Sequence, residues 1–115
     1  MARFEATTSS EADRIVVSLV GECDLSVRDE MTTALLDAVQ RSSVVAVDLG
    51  DLDFLDSSGL HGLVTAYNGA RERGALLYVI NARGVVAHLL ELTGIGELLA
   101  APTGLGQPAG EAPHA

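Results

Sequence analysis

The chain has 115 residues and a formal net charge of −9, and 48% of its residues are hydrophobic. This length predicts one domain that buries a core without disulfides or metals, and the negative charge argues against binding to nucleic acid or to an anionic membrane. Aromatic residues are only 3% of the chain, so a base-stacking platform for single-stranded nucleic acid is not expected.

The cysteine content and the N-terminal composition bear on where the protein works. The single cysteine, Cys23, has no partner for an internal disulfide; a small buried thiol is expected, with a reactive thiol as the alternative. The first residues, MARFEATTSS, lack an apolar signal core, and no apolar stretch reaches the roughly 18 residues of a membrane span. We therefore expect a cytoplasmic protein.

The N-terminal third predicts a β-hairpin followed by a helix. Phe4–Thr8 is a short strand, and the β-branched run at 14–21 is its partner, with Gly21 ending the second strand. Apolar residues then recur at helical spacing up to Arg41, and Ser26 is the predicted N-cap of this helix.

The middle of the chain alternates buried strand and amphipathic helix. VVAVDL at 44–49 is a continuous apolar run, which predicts a strand buried on both faces, as in a parallel sheet. An acidic loop is expected at 50–56, followed by a helix over 57–73. The glycines inside this helix, Gly62 and Gly69, each cost about 1 kcal/mol relative to alanine and predict close packing against the sheet or a partner there.

The C-terminal third predicts one more strand and one more helix. The strand is LLYVI at 76–80, and the helix covers 84–92 until Gly94 stops it. Residues 96–101 suit a last strand or a helical turn, and 102–115, rich in Pro, Gly and Ala, predict a disordered tail. The alternation predicts an α/β fold: a four- to five-stranded, mostly parallel sheet with an antiparallel edge hairpin and helices packed on it.

The stretch DFLDSSGLHG at 53–62 carries the candidate functional residues. It connects a buried strand to a helix, so it lies beyond the carboxyl ends of the parallel strands, where open α/β sheets place their functional ridge. A helix cap is the plainest interpretation, because Asp and Ser are ordinary N-cap residues. A phosphoacceptor serine is the second, because a phosphate at a helix N-terminus meets free backbone N–H groups while it changes the charge of the surface.

Two further interpretations of this stretch remain open. The aspartates between 48 and 56 offer oxygens to Mg²⁺, although EF-hand spacing is absent. Ser57 or Ser58 is a conceivable nucleophile with His61 as its base, although the Gly-x-Ser-x-Gly elbow is absent. No Walker A loop and no Gly-x-Gly-x-x-Gly motif is present, so no cofactor is expected.

The segment VVAVDLGDLDFLDSSGLHGLV at 44–64 resembles the central motif of the STAS family, and specifically that of its anti-sigma factor antagonists. LVGECDLS at 19–26 is similar to the family's Gly-Glu-x-Asp segment, and 74–99 resembles its last strand, following helix and Gly-Leu stop. The resemblance covers about residues 3–99, so we expect a STAS domain at 1–101.

The resemblance implies a regulatory binding protein and no enzyme. In the family, the unphosphorylated antagonist binds an anti-sigma factor that is also a serine kinase, and this frees a sigma factor. The kinase phosphorylates the serine directly after the aspartate, here Ser57, which abolishes binding until a separate phosphatase resets the protein. The resemblance implies no metal and a monomer or weak dimer, and it implies partner contacts at Asp24, Asp56, Ser57, Ser58, Gly59 and Leu60.

A constitutive scaffold is the alternative function, since some STAS domains belong to stressosome-like or transporter-associated assemblies without a serine switch. The intact Asp-Ser-Ser-Gly sequence favours the switch. Two features depart from the family pattern. His61 stands where a small residue is common, and the further strand and helix usual after the Gly-Leu stop are replaced here by the Pro- and Gly-rich tail. Whether a final helix follows residue 95 is therefore left open.

Overall fold

The computed structural model describes residues 3–102, which form a four-stranded sheet with helices packed on it. The predicted hairpin is present: β1 (Phe4–Ser10) and β2 (Ile15–Cys23) pair antiparallel. β3 (Val44–Leu55) and β4 (Leu76–Ile80) extend the sheet in parallel, giving the strand order β1-β2-β3-β4. The predicted α/β class, mostly parallel with an antiparallel edge, is confirmed.

Four helices connect and follow the strands within the described part. They are α1 (Leu25–Arg41), α2 (Ser57–Glu72), α3 (Gly84–Thr93) and a short α4 (Ile95–Leu98). Gly94 ends α3 in the left-handed conformation with φ of 76°, as the sequence predicted. Among residues 3–102, no helix has both the length and the apolar character needed to cross a membrane.

The core lies between one face of the sheet and the helices. In β3, Val45 and Val47 belong to a large cluster that also contains side chains of α1, α2 and α3. Ala46 points to the other face, because side chains alternate along a strand, and it packs there with Val16 and Tyr78. The prediction that this strand is buried on both faces is confirmed.

β2 is longer than the sequence indicated. Gly21 does not end the strand, which continues to Cys23. The φ of Gly21 is +101°, and a Cβ added there would overlap the carbonyl of Arg3. Glycine is needed at this position because a side chain would collide with the Arg3 carbonyl, which lies beside β2 and accepts the Glu22 N–H at 2.8 Å.

The prediction of an acidic loop at 50–56 is wrong. β3 continues through this segment to Leu55, because it stays paired with the carboxyl-terminal end of β2. The pairing passes two register shifts, so the buried side chains Leu52 and Leu55 both reach the core. The acidic residues therefore stand on an extended strand rather than on a loop.

The packing at the glycines of α2 is close, as predicted, but the neighbouring element is α1 rather than the sheet or a partner. A Cβ at Gly62 would lie 2.6 Å from Met31 Cε and 2.7 Å from Thr32 Oγ1. A Cβ at Gly69 would lie 2.7 Å from Leu36 Cδ2. The two helices approach each other more closely than bulkier residues would allow.

The segment at 96–101 is mainly a helical turn. α4 covers Ile95–Leu98, and the next residue, Leu99, is fully buried. The Leu99 carbonyl accepts the Val79 N–H at 2.8 Å, which is a strand-like contact with the outer edge of β4. The tail predicted at 102–115 lies, beyond Pro102, outside the described residues.

Candidate functional site

At the start of α2, an aspartate rather than a serine caps the helix, and the two candidate serines follow it. Asp56 is the N-cap, and its Oδ1 accepts the Gly59 N–H at 3.0 Å. Ser57 is the first helical residue and is exposed, whereas Ser58 is half-buried. Within residues 3–102, no hydrogen bond engages either serine hydroxyl. The capping role therefore belongs to Asp56, and the Ser57 hydroxyl is accessible to chemistry.

The start of α1 corrects the predicted cap. Ser26 is not the N-cap; the N-cap is Asp24, and the helix begins at Leu25. Asp24 Oδ1 accepts both the Ser26 hydroxyl at 2.6 Å and the Ser26 N–H at 2.9 Å. These two bonds hold the pKa of Asp24 below its usual range, because both stabilise the carboxylate; the bond from the hydroxyl has the larger effect and the bond from the backbone N–H the smaller.

Cys23 joins the two helix starts. Its carbonyl accepts the Asp56 N–H at 3.2 Å, and its neighbour in the chain is the other N-cap, Asp24. The thiol is fully buried, and this burial, followed by the charges of Asp56 and Asp24, raises the pKa of Cys23 to about 11. The two capping carboxylates thus flank one buried residue at the same edge of the sheet.

Gly59 and Leu60 support the start of α2 from the inside. A Cβ at Gly59 would lie 2.5 Å from Leu55 Cδ1 and 2.8 Å from Cys23 Sγ. Leu60 is 6% exposed and belongs to the main core. Both residues set the position of the exposed turn and present little surface of their own.

Exposed apolar side chains border the helix starts, and the sequence pattern did not indicate them. Leu25, directly after the Asp24 cap, is 63% exposed, and Phe54, two residues before Asp56, is 42% exposed. Phe54 pairs with Glu22, after the second register shift between β2 and β3. Strict alternation along the acidic segment cannot predict this outward orientation, because the shift changes which side chains share a face.

The metal and nucleophile alternatives find no support in the geometry. One oxygen of the Asp48 carboxylate, Oδ1, already accepts the Gly50 N–H at 2.9 Å and the Asn81 amide at 3.2 Å. Throughout the part of the chain that the structure describes, no three His, Cys, Asp or Glu side chains come together to hold a metal. His61 is exposed, and it forms no hydrogen bond with either serine within residues 3–102.

Comparison with known proteins gives relatives in both sequence and structure. The anti-sigma-B factor antagonist of Listeria monocytogenes is 27% identical over 90 residues, which are 77% of this chain and 79% of that protein. The structure of an anti-sigma factor antagonist from Mycobacterium paratuberculosis superposes with a TM-score of 0.72 at 25% identity, covering 88% of this chain and 87% of that one.

The SpoIIAA structures have the same fold. Unphosphorylated SpoIIAA, an anti-sigma factor antagonist, superposes with a TM-score of 0.70 at 17% identity over 89% of this chain and 90% of that one. Phosphorylated Bacillus SpoIIAA gives 0.64 at 16% identity over 89% and 93%. A family model described as "Mlab, STAS domain" matches residues 6–100. With the sheet topology and the Asp-Ser-Ser-Gly turn, this match shows that the chain belongs to the STAS domain family.

Proposed function

We propose that the chain is a cytoplasmic anti-sigma factor antagonist controlled by phosphorylation of Ser57. The unphosphorylated form binds a serine-kinase anti-sigma factor and frees a sigma factor; phosphorylation abolishes this binding, and a separate phosphatase restores it. The observation that carries the proposal is the exposed Ser57 hydroxyl, which no described residue engages because Asp56 caps the helix. The named roles of the Listeria and Mycobacterium relatives support it.

The position of Ser57 allows modification without loss of the fold. A phosphate on the first residue of α2 lies at the positive end of the helix dipole, close to backbone N–H groups of the first turn. It carries a charge of about −1.5 to −2 at neutral pH. The helix therefore tolerates the phosphate, and the folded domain is the same binding scaffold in both states.

The same phosphate is unfavourable in an interface. The unphosphorylated surface presents a small hydroxyl directly after the Asp56 cap, at the sheet edge that also carries the Asp24 cap and the exposed Leu25 and Phe54. A partner that packs closely on this surface would have to remove water from a bulky dianion at an already acidic edge. The modification thus removes the interface and leaves the fold.

The site residues implied by the family resemblance have different roles in the proposed interface. Asp24, Asp56, Ser57 and Ser58 supply polar groups at the surface, and Leu25 and Phe54 supply the apolar area that a stable contact requires. Gly59 and Leu60 act from the interior by fixing the turn. Partner binding thus depends on all of these positions, but direct contact is not assigned to Gly59 and Leu60, which are buried.

The test compares variants in binding to the serine-kinase anti-sigma factor of the source bacterium, by isothermal titration calorimetry with ADP present. Ser57→Ala is expected to bind within about threefold of the wild type, and Ser57→Glu at least about tenfold more weakly, since about 1.4 kcal/mol is tenfold. Ser9→Ala removes an exposed serine of β1 at the end of the hairpin away from Cys23; it is the matched control and is expected to bind like the wild type. Equal binding by the wild type, Ser57→Ala and Ser57→Glu would refute the switch and favour the constitutive scaffold.

A phosphorylation assay with the same kinase and ATP identifies the acceptor. Ser58→Ala is expected to incorporate phosphate at close to the wild-type level, because Ser58 is half-buried and Ser57 is exposed. Ser57→Ala is expected to incorporate none. Mapping of the phosphate to Ser58 in the wild type would contradict the assignment.

A further inference from the structure

A cleft of about 530 Å³ lies beyond the outer edge of β4, between α3 and the segment that follows it. Its lining is mostly small or apolar, with two carboxylates; it includes Val79, Ala87, Leu90, Glu91, Glu97 and Ala100. The volume lies within the range of about 300–1,000 Å³ that ligand-binding clefts occupy. No residue of α2, the helix that carries Ser57, lines it.

The walls of the cleft are held in place by the fold. Gly94 turns the chain between α3 and α4 with φ of 76°, and a Cβ at Gly96 would lie 3.3 Å from Leu90 Cβ, so the two helices are in close contact. After α4, the buried Leu99 accepts the Val79 N–H at 2.8 Å through its carbonyl. A ligand therefore finds a preformed site and incurs little ordering cost.

The outer edge of β4 favours an extended peptide as the occupant. β4 is the last strand in the sheet order, so one of its edges has no neighbouring strand among the described residues. The Val79 to Leu99 contact is the one backbone bond on that edge within residues 3–102. The Val79 N–H is therefore taken, but Leu77, two residues earlier, faces the same edge, and no described backbone group bonds it there. Free groups on a strand edge bind extended segments through main-chain hydrogen bonds, with pockets for alternate side chains.

The carboxylates define the chemistry of that peptide. Glu91 and Glu97 are exposed at the cleft, and neither forms an ion pair with a described cation. The other side chains of the lining are apolar or absent. A complementary segment therefore carries an aliphatic side chain for the lining and Lys or Arg for the two carboxylates.

We propose that this α3–α4 cleft is a docking site for a short extended segment of another protein, with an aliphatic residue next to a basic one. Ser57 belongs to the edge where β2 and β3 end, whereas the cleft lies outside β4. Because no residue of α2 lines the cleft, we expect the docking site to be available in both phosphorylation states, and it does not depend on the function proposed above.

The test is a titration of the full-length ¹⁵N-labelled protein, followed by NMR, with the designed peptide acetyl-LKVRLK-amide. The expected result is a set of shifted amide signals centred on Val79, Ala87 and Leu90. The matched peptide acetyl-LEVELE-amide is expected to bind at least about tenfold more weakly, because its charges oppose the two glutamates. No binding at millimolar peptide, or equal binding of both peptides, would overturn the proposal.

Variants distinguish specific binding in the cleft from nonspecific attraction of a basic peptide to an acidic protein. Glu91→Gln combined with Glu97→Gln is expected to weaken binding about tenfold, and Ala100→Trp, which fills the cleft, at least as much. The control Glu30→Gln removes an exposed carboxylate from α1 and is expected to leave the dissociation constant within twofold. A dispersed spectrum for each variant checks folding. Equal losses in Glu30→Gln and in the double variant would overturn the site.

The Ser57→Glu variant distinguishes this proposal from the switch. The dissociation constant for acetyl-LKVRLK-amide is expected to stay within twofold, even if binding to the anti-sigma factor is lost. If the peptide binds although the anti-sigma factor experiments show no serine switch, the cleft proposal holds and the switch proposal fails. Signal shifts centred on Asp24 and Asp56 would instead assign the peptide to the helix starts and overturn the cleft.

Discussion

α1 and α2 both begin with an aspartate N-cap, yet the serines that follow are used differently. Ser26, two residues after its cap, donates its hydroxyl to Asp24 at 2.6 Å and so is part of the cap. Ser57, directly after Asp56, is exposed, and no described residue binds its hydroxyl. The difference teaches that modification of Ser57 would cost no structural hydrogen bond, whereas modification of Ser26 would break a hydrogen bond of the α1 cap.

The largest expected effect concerns Cys23, which connects the two helix starts. A thiol with a pKa of about 11 has at pH 8 a thiolate fraction more than about a hundredfold below that of a free cysteine. Labelling with dithionitrobenzoate is therefore expected to be slower by at least this factor in the native protein than in urea. Similar rates in the two conditions would mean that the helix starts open readily.

Replacing Gly59 tests whether the α2 start depends on close packing. Gly59→Ala is expected to lower the free energy of unfolding by about 1–3 kcal/mol, because the new Cβ would meet Leu55 Cδ1 at 2.5 Å and Cys23 Sγ at 2.8 Å. The control is Gly69→Ala, whose Cβ meets only the flexible end of Leu36, at 2.7 Å. Urea denaturation measures both, and equal effects would contradict the special role of Gly59.

Removing the α2 cap tests whether Asp56 alone caps the helix and Ser57 has no capping role. Asp56→Ala is expected to cost about 0.5–2 kcal/mol of stability in urea denaturation, because the Gly59 N–H loses its side-chain partner. The same substitution in a Ser57→Ala background is expected to cost the same amount. A larger loss in the double variant would show that Ser57 takes over capping, which would break the comparison.

The two serines themselves give a smaller contrast. Ser26→Ala is expected to lose up to about 1 kcal/mol, because a hydroxyl-to-carboxylate bond disappears. Ser57→Ala is expected to change stability by less than about 0.5 kcal/mol, as at other exposed positions without structural bonds. Thermal unfolding by circular dichroism compares them, and a reversed order would contradict the assignment.

The smallest effect is the pH dependence of the α1 cap. The pKa of Asp24 is lowered in the folded state, so its charge stabilises the fold above the unfolded value of about 3.9 and ceases to do so as pH falls through the folded pKa. Asp24→Asn keeps a capping side chain and removes the charge. The difference in melting temperature between wild type and variant at pH 7 is expected to shrink as the pH is lowered below about 3.9; a constant difference would contradict this origin.

Local patterns in the sequence were sufficient for most of the fold. The continuous apolar run at 44–49 indicated a strand buried on both faces, and Val45, Ala46 and Val47 are buried in the two clusters. Gly94 indicated the end of α3, because a left-handed residue there needs no neighbour beyond the helix itself. The Asp-Ser-Ser-Gly segment also indicated correctly where a helix begins.

Long-range contacts decided the rest. Residues 50–56 were predicted to form a loop because they are acidic, but pairing with β2 extends the strand through two register shifts to Leu55. Ser26 and Asp24 are both good capping residues, and only the backbone geometry after β2 selected Asp24. Neither outcome follows from a window of neighbouring residues.

The sequence by itself determined the α/β order, the STAS resemblance and the identity of the candidate serine, because each depends on residue type and spacing along the chain. Only the tertiary structure decided that Asp56 caps α2, that Ser57 remains exposed, and that Leu25 and Phe54 face solvent beside it. The physical reason is that exposure and hydrogen bonding are properties of neighbours in space, and here β2, β3 and two helix starts bring those neighbours together.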